Sequence, residues 1–426
     1  MNRRVVVTGL GVVAPNATGL EKFRSAIRAG KSGIEKIPLL GDLKFACQIA
    51  GIPDVSEELK HQYFDELTVK VLKSTGIIYG CIAGIDAWKD AGFNVSSDSD
   101  IDWDTGCVFG SGLTGVDALR DAIYGVDALK VRRLGSRVVE QTMASGISAY
   151  MGGILGLGNQ VTTNSSACST GSEAITMCYD RIKSGQANRM LAGSCDSEGP
   201  YIWGGFDSMR VLNRKSNETP EQGSSPMSEE ASGFVPGAGG GALVLEDLDS
   251  ALTRGAKIYG EIIGAAVNSG GQRGEGSMTA PNPDGVKRCI LQAIDSAGIS
   301  PNDIDAICGH LTSTMGDVIE VDNWSKALGR EGDDFPHINS LKSMIGHCLA
   351  GAGSIECVAA LLQLEGGFFH SSINSENIHP EIEKVISKNK IPHTLMEATN
   401  FEVIAKSSFG FGDVNCCIIF KKWNNN

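Results

Sequence analysis

A pattern of apolar strand, helix stopped by glycine, and second apolar strand occurs twice in this chain, with starting points about 250 positions apart. This repeat restricts the fold more than any other feature of the sequence. The β-branched run at residues 4–13 predicts a buried strand, and so does the run at 257–267. Each is followed by a helical stretch, 68–92 ending in Asp90-Ala91-Gly92 and 285–298 ending in Ser296-Ala297-Gly298. Each helix then leads to a short strand, 106–110 and 304–309. Further along, a strand entering a small-residue helix at 161–184 is matched by 337–364, and apolar strands at 189–193 and 415–421 close the halves. Alternating strands and helices predict an α/β fold of parallel sheets covered by helices on both faces. The two halves, 1–254 and 255–426, imply a duplicated layered architecture with a site at their junction.

The remaining segments set limits. Residues 213–232 are polar and turn-rich, residues 94–104 are acidic, and both predict surface loops, while the last three Asn residues predict a frayed tail. The formal net charge of -13 speaks against general nucleic-acid binding, which needs clustered Lys and Arg. No apolar run is long enough for a membrane span, and the opening residues lack the h-region of a signal peptide. The twelve cysteines show no C-x-x-C or zinc-like spacing, so no metal is expected and a cytoplasmic protein with reduced thiols is. Two glycine runs, 9–14 and 110–115, fit a dinucleotide fingerprint by spacing. Pro15 and Asn16 stand where a helix should open after the first, and neither run has the partnered acid, so no nucleotide cofactor is expected.

Cys168 is unlike the other cysteines because Asn164-Ser-Ser-Ala-Cys168-Ser-Thr-Gly171 lies between a strand and the start of a helix. A thiolate there is stabilised by free N–H groups and the helix dipole, which predicts a lowered thiol pKa and a nucleophile that needs no strong base. Small neighbours would let a substrate approach and leave a backbone N–H to hold an oxyanion. Taken alone, a buried structural cysteine is an equal reading. The second half breaks the tie with His310-Leu-Thr312-Ser-Thr314, then Lys342-Ser-Met-Ile-Gly346-His347, then Glu356, then Ser408-Phe409-Gly410-Phe411-Gly412. By the repeat, His310 and Lys342 fall at strand ends on the same side as Cys168, and two His, a Lys and a Glu converging on a Cys form a chemical constellation.

These four motifs, in this order, resemble those of the elongating β-ketoacyl carrier-protein synthases of the thiolase-like superfamily, over essentially the whole chain. The turn at 233–241 and the run at 255–259 are similar too. The resemblance implies a layered α-β-α-β-α fold and a decarboxylative condensation with no cofactor. Cys168 would carry an acyl group, with its N–H and that of Phe411 as oxyanion hole. His310 and His347 would decarboxylate a malonyl thioester, with Lys342 and Glu356 as the supporting ion pair. Thr312 and Thr314 would hold the pantetheine arm, Phe411 would gate the site, and Leu113, Phe206 and Phe409 would line the substrate pocket. The partner implied is an acidic acyl carrier protein, docking on Lys130, Arg132, Arg133 and Arg210, and the assembly a homodimer or a heterodimer.

The chain departs from the family pattern in two places. Leu311 replaces a glycine and Met315 stands in a shortened loop, predicting a bulkier malonyl site. Asp413-Val414-Asn415 follows Gly412, predicting an extra carboxylate near the oxyanion hole. Both leave open whether a fatty acid, a polyene or a polyketide is elongated. The alternatives are a coenzyme A-dependent thiolase and a chain-length-setting subunit, disfavoured by Lys342 and by the presence of Cys168 respectively.

Overall fold

The computed structural model describes residues 3–95 and 100–424; the expectations for 96–99 in the acidic loop and for 425–426 in the tail lie outside the described residues. Each half contributes five strands to one pairing order. The first half supplies β1 (Val5–Ala14), β2 (Thr105–Ser111), β3 (Val161–Thr162), β4 (Arg189–Asp196) and β5 (Gly239–Asp247). The second supplies β6 (Gly260–Ser269), β7 (Ala306–Cys308), β8 (His337–Asn339), β9 (Val403–Gly410) and β10 (Val414–Lys421). The order is β8-β7-β9-β10-β6-β1-β5-β4-β2-β3. Read outward from the central β1–β6 pair, both halves place their strands in the same succession.

The sheets are mixed, which corrects the all-parallel expectation. The outer three strands of each half are parallel, but β5 and β10 run antiparallel to their neighbours. Only residues 411–413 join β9 to β10, too short for a parallel crossover, so the chain must turn back on itself. The matching of closing strands also changes: β4 corresponds to β9, and β10 corresponds to β5.

Five helices matter for the site: α1 (Thr75–Asp90), α2 (Thr170–Lys183), α3 (Pro283–Ala297), α4 (Gly316–Leu328) and α5 (Ala352–Gly366). The helix expected over 68–92 is broken ahead of α1, with Glu66–Val71 forming a separate helix. Helix α1 covers β1, β4 and β5, and α3 covers β6 and β10. Helices α2 and α5 pack on each other and on strands of both halves, forming the central layer of the duplicated α-β-α-β-α arrangement. They approach so closely that a Cβ on Gly171 would lie 2.4 Å from the Ser354 nitrogen, and one on Gly353 2.6 Å from that of Ser172. Two matching hydrogen bonds cross this layer, Ser172 Oγ to Ser408 Oγ at 2.8 Å and Ser354 Oγ to Ser194 Oγ at 2.7 Å.

The glycines at 9 and 11 lie inside β1, where a Cβ would strike the carbonyls of Ala87 and Ala83; they admit α1 and form no phosphate-binding turn. Residues 213–232 are not wholly a surface loop. Ser224, Ser225, Met227 and Ser228 are buried. Ser224 Oγ donates to the Lys342 carbonyl (2.7 Å), Ser225 N–H to Ser313 Oγ (3.0 Å) and Met227 N–H to Asp317 (2.9 Å). Their polarity satisfies backbone and side chains of the second half, so composition alone misled. Among the described residues no helix is long and apolar enough to cross a membrane.

Candidate active site

Cys168 precedes α2 in a tight turn. Ala167 takes a left-handed φ of 48°, the Ser166 N–H donates to Thr170 Oγ1 (2.8 Å), and that hydroxyl donates to the Ala167 carbonyl (2.6 Å). Strain of this kind persists only where neighbours enforce it. Of the twelve cysteines, eleven are buried and Cys168 alone is partly accessible. From the other half, the end of β9 comes so near that a Cβ on Gly410 would lie 3.1 Å from the Cys168 nitrogen, and the Phe411 N–H donates to the thiol.

The lowered thiol pKa expected from the helix start does not follow. Burial pushes the Cys168 thiol up to about 11, against the pull of the Phe411 N–H and Lys342. The N–H groups of Ser169 and Thr170 are already spent on the Ser166 and Ala167 carbonyls, which removes donors from the first turn. At rest the group is a thiol.

The histidines arrive on two rigid loops. The N–H groups of His310 and Leu311 donate to the two oxygens of Glu320 (2.7 and 2.8 Å), and those of Thr312 and Ser313 to Asp317 (2.7 and 3.0 Å). Both acids come from α4, and burial raises both, Asp317 to about 7. His347 is clamped by the 233–241 turn, its N–H donating to the Val235 carbonyl (2.8 Å) and its carbonyl accepting from the Gly237 N–H (2.9 Å). The imidazole centroids are 5.3 Å apart. A ring nitrogen of each and the Cys168 sulfur all lie within 4.8 Å of one another.

Burial first, and Lys342 next, hold both imidazoles well below their usual pKa, so both are neutral. Their tautomers follow from their neighbours. Leu349 N–H donates to His347 Nδ1 (3.1 Å), and Lys342 Nζ lies 3.4 Å from His310 Nδ1, which puts each ring proton on Nε2. Such spacing would suit a metal ion, but a ligating histidine donates its other N–H to an acceptor. Here both Nδ1 atoms face donors, and the arrangement fits two hydrogen-bond donors better than two ligands.

Lys342 and Glu356 are both buried and paired, and the Lys342 ammonium also donates to the His310 carbonyl (2.7 Å). A cavity of about 360 Å³ holds Cys168, His310, His347, Thr312, Thr314, Phe206, Phe409 and Phe411 together. The two threonine hydroxyls are 3.0 Å apart. Phe206 stands 6.2 Å from Phe411 and 5.6 Å from Phe234 between ring centroids.

Leu113 is not brought in. It is 48% exposed, it does not line this cavity, and its N–H is tied to Asp196 (2.9 Å). Leu311 points away into the core of the second half, so it does not bulk the site, whereas Met315, 64% exposed, does line the cavity. The Asp413 carboxylate is buried and accepts from the N–H groups of Gln272 and Asn282 (both 2.8 Å). It clips the loop that carries Thr279, Ala280 and Pro281 into the cavity wall and adds no charge at the oxyanion hole.

Lys130 and Arg133 line a separate cavity of about 580 Å³ with Lys70, Lys73 and Arg137, and Arg132 is exposed beside Arg133. Arg210 is absent from that lining and adjoins Val211 at the catalytic cavity. Sequence reading missed Lys70 and Lys73, which need the fold to join Lys130. It also missed Phe234, Asp317, Glu320 and Lys406; the last was visible as a lone charge inside the apolar strand 403–409.

Comparison with known proteins agrees with this geometry. The profile of the β-ketoacyl synthase N-terminal domain matches residues 2–251 and that of its C-terminal domain residues 259–376. The 3-oxoacyl-[acyl-carrier-protein] synthase 1 of Haemophilus influenzae is 33% identical, over 99% of this chain and 100% of its own. A type II polyketide ketosynthase solved in complex with its acyl-carrier protein and bound to the hexaketide superposes with a TM-score of 0.87 at 27% identity, covering 99% of this chain and 100% of that one. The ishigamide ketosynthase/chain length factor gives 0.87 at 25% identity, covering all of both chains. Domain profiles spanning most of both halves, and full-length identity above 30%, make the conclusion plain: the chain belongs to the β-ketoacyl synthase family.

Proposed function

We propose that this chain elongates a carrier-bound acyl group by decarboxylative condensation, with residues 1–254 supplying the nucleophile and 255–426 the decarboxylation apparatus. The observation that carries this reading is the convergence of one accessible thiol and two neutral imidazoles within 4.8 Å in one cavity. The Cys168 sulfur attacks the thioester carbon of an acyl carrier protein, and its proton goes to the departing pantetheine thiolate. The N–H groups of Cys168 and Phe411 hold the oxyanion as it forms. A malonyl thioester then enters along Thr312 and Thr314. Its carboxyl leaves as carbon dioxide while Nε2–H of His310 and of His347 donate to the enolate oxygen, where charge develops. The enolate carbon attacks the acyl-Cys168, the C–S bond breaks, and the thiolate regains a proton from solvent. Lys342 and Glu356 hold His310 in place, and Phe206, Phe409 and Phe411 exclude water.

Lys70, Lys73, Lys130, Arg132 and Arg133 on one surface, and Arg210 near the cavity, suit an acidic carrier protein. Leu119, Ile123 and Tyr124 are exposed on the helix Val116–Asp127, which supports a dimer, of like chains or with a chain-length subunit. Incubation with an acyl carrier protein should leave one acyl group on Cys168 by intact mass, and Cys168→Ala should lose the adduct and at least about a thousandfold of condensation. An unlabelled Cys168 in wild-type protein that nonetheless condenses would overturn the reading.

A further inference from the structure

Beneath the two imidazoles lies a second lysine that the mechanism above does not use. Lys406, on β9, is fully buried, and its ammonium lies 2.8 Å from Glu356 Oε2 while Lys342 holds Oε1. The same ammonium donates to the Ser407 carbonyl and, at 3.0 Å, to Ser408 Oγ, which meets Ser172 of α2. We propose that Lys406 is a second positioning cation for decarboxylation, one that shares Glu356 with Lys342 and keeps positive charge beneath His310 and His347.

Burying a full charge is costly unless it is paired, so a lysine in the middle of an apolar strand needs a compensating partner, and Glu356 is that partner. Burial works against the Lys406 charge and Glu356 is the foremost group working for it, and the ammonium is held above its usual pKa. The surrounding groups are Cys308 on β7, Glu356 and Cys357 on α5, and Cys416 and Cys417 on β10, with Lys342 on the other oxygen of Glu356, His370 near Glu356, and Glu320 of α4 accepting from the neighbouring Ser407 hydroxyl. Burial pushes all four thiols up, Cys308 and Cys416 to about 12, so they stay neutral. The ionic cluster is therefore two lysines on the one carboxylate of Glu356, with Lys342 also acting on Glu320. Without Lys406, Lys342 would be the one lysine left on Glu356.

Lys406 is among the charges that depress both imidazoles, after burial and Lys342 for His347 and after burial, Lys342 and His347 for His310. The charges acting on the Cys168 thiol are those of Lys342, Glu356 and Asp196. Loss of Lys406 should therefore separate the two half-reactions. It lets the imidazoles take a proton at higher pH, and a protonated pair repels the ordered arrangement of donors and lysines that the enolate requires.

This inference rests on the condensing reading, and its test keeps the two apart. Lys406→Met and Lys406→Gln are compared with wild type in single-turnover acylation of Cys168 and in carbon dioxide release from malonyl carrier protein. In each variant acylation should stay within about threefold, decarboxylation should fall roughly tenfold, and the acid limb of its pH profile should move up by about one unit. The Gln variant, which keeps a donor toward Ser408, guards against a Met variant that does not fold. If both half-reactions fall by one common factor with the acid limb unmoved, Lys406 is structural and the proposal fails. If wild-type Cys168 takes no acyl group, the condensing reading fails first.

Discussion

The two halves place a helix start at equivalent points of the central layer and then treat them in opposite ways. The crossing serines set the correspondence. Four residues before Ser172 is Cys168, and four before Ser354 is Ala350; two residues after Ser194 is Asp196, and two after Ser408 is Gly410. At the Ala350 start the Asp196 carboxylate accepts the N–H groups of Ala350 (3.2 Å), Leu113 (2.9 Å) and Ser197 (3.2 Å) and closes the position. At the Cys168 start the equivalent residue is glycine, with no side chain to cap the Cys168 N–H. The lesson is that duplication supplied two polar helix starts, and the proposed nucleophile stands at the one from which the carboxylate is missing.

Making the two starts alike should break the enzyme. Gly410→Ala puts a Cβ 3.1 Å from the Cys168 nitrogen and the Ser166 carbonyl, where the oxyanion would lie. Acylation of Cys168 should fall by about 10² to 10³, the cost of losing an oxyanion donor. Stopped-quench measurement of the acyl adduct, with thermal melting as the control for folding, checks this. A variant that acylates at the wild-type rate would mean that the open N–H is not the oxyanion site.

Opening the other start should cost stability and spare chemistry. Asp196→Asn keeps one oxygen for Leu113 and Ser197 but can turn an NH₂ toward the Ala350 N–H, so about 1–3 kcal/mol of stability should be lost. The pH dependence sharpens this. Burial raises Asp196 to about 6, above its unfolded value near 4, so its share of stability is complete below about pH 4 and declines as pH rises through 6. Urea titrations at pH 4.5 and 7.5 should show that share disappear in the Asn variant, while acylation of Cys168 is not slowed, because the Asp196 charge raises the thiol's pKa and its loss favours the thiolate. Equal stability curves for the two proteins would remove Asp196 as the seal.

The repeat was legible because burial writes it directly into the sequence: strands inside a layered fold are continuous apolar runs, and Gly92 and Gly298 stop their helices in the same way. Cys168, His310, His347, Lys342 and Glu356 could be read because reactive side chains placed at strand and helix ends are rare in one ordered set. What stayed hidden was long-range. Strand direction depends on which runs pair, and the Gly-rich β5 did not look like the counterpart of β10 in the repeat. The thiol pKa could not be read from a helix start, because burial by the other half outweighs it. Lys406 looks like a surface charge until Glu356 is brought beneath it by α5. Leu113 and Asp413 were assigned by position in a motif, and hydrogen bonds to Asp196 and to the 270–282 loop direct them elsewhere.

The smallest difference between the halves lies in the serine pairs themselves. Ser354→Ala leaves Ser194 Oγ buried without its partner and also removes donation to the Gly351 carbonyl (3.2 Å). Ser172→Ala removes the matching bond, but Ser408 Oγ still accepts from Lys406 at 3.0 Å. A buried hydroxyl left unpaired costs more than a bond lost from a group that keeps another, so Ser354→Ala should lose about 1–1.5 kcal/mol and Ser172→Ala about 0.5 kcal/mol. Denaturant midpoints at constant m-value measure both. Equal losses would mean that Lys406 does not hold Ser408, and that the second lysine of this half is not tied to the helix that presents Cys168.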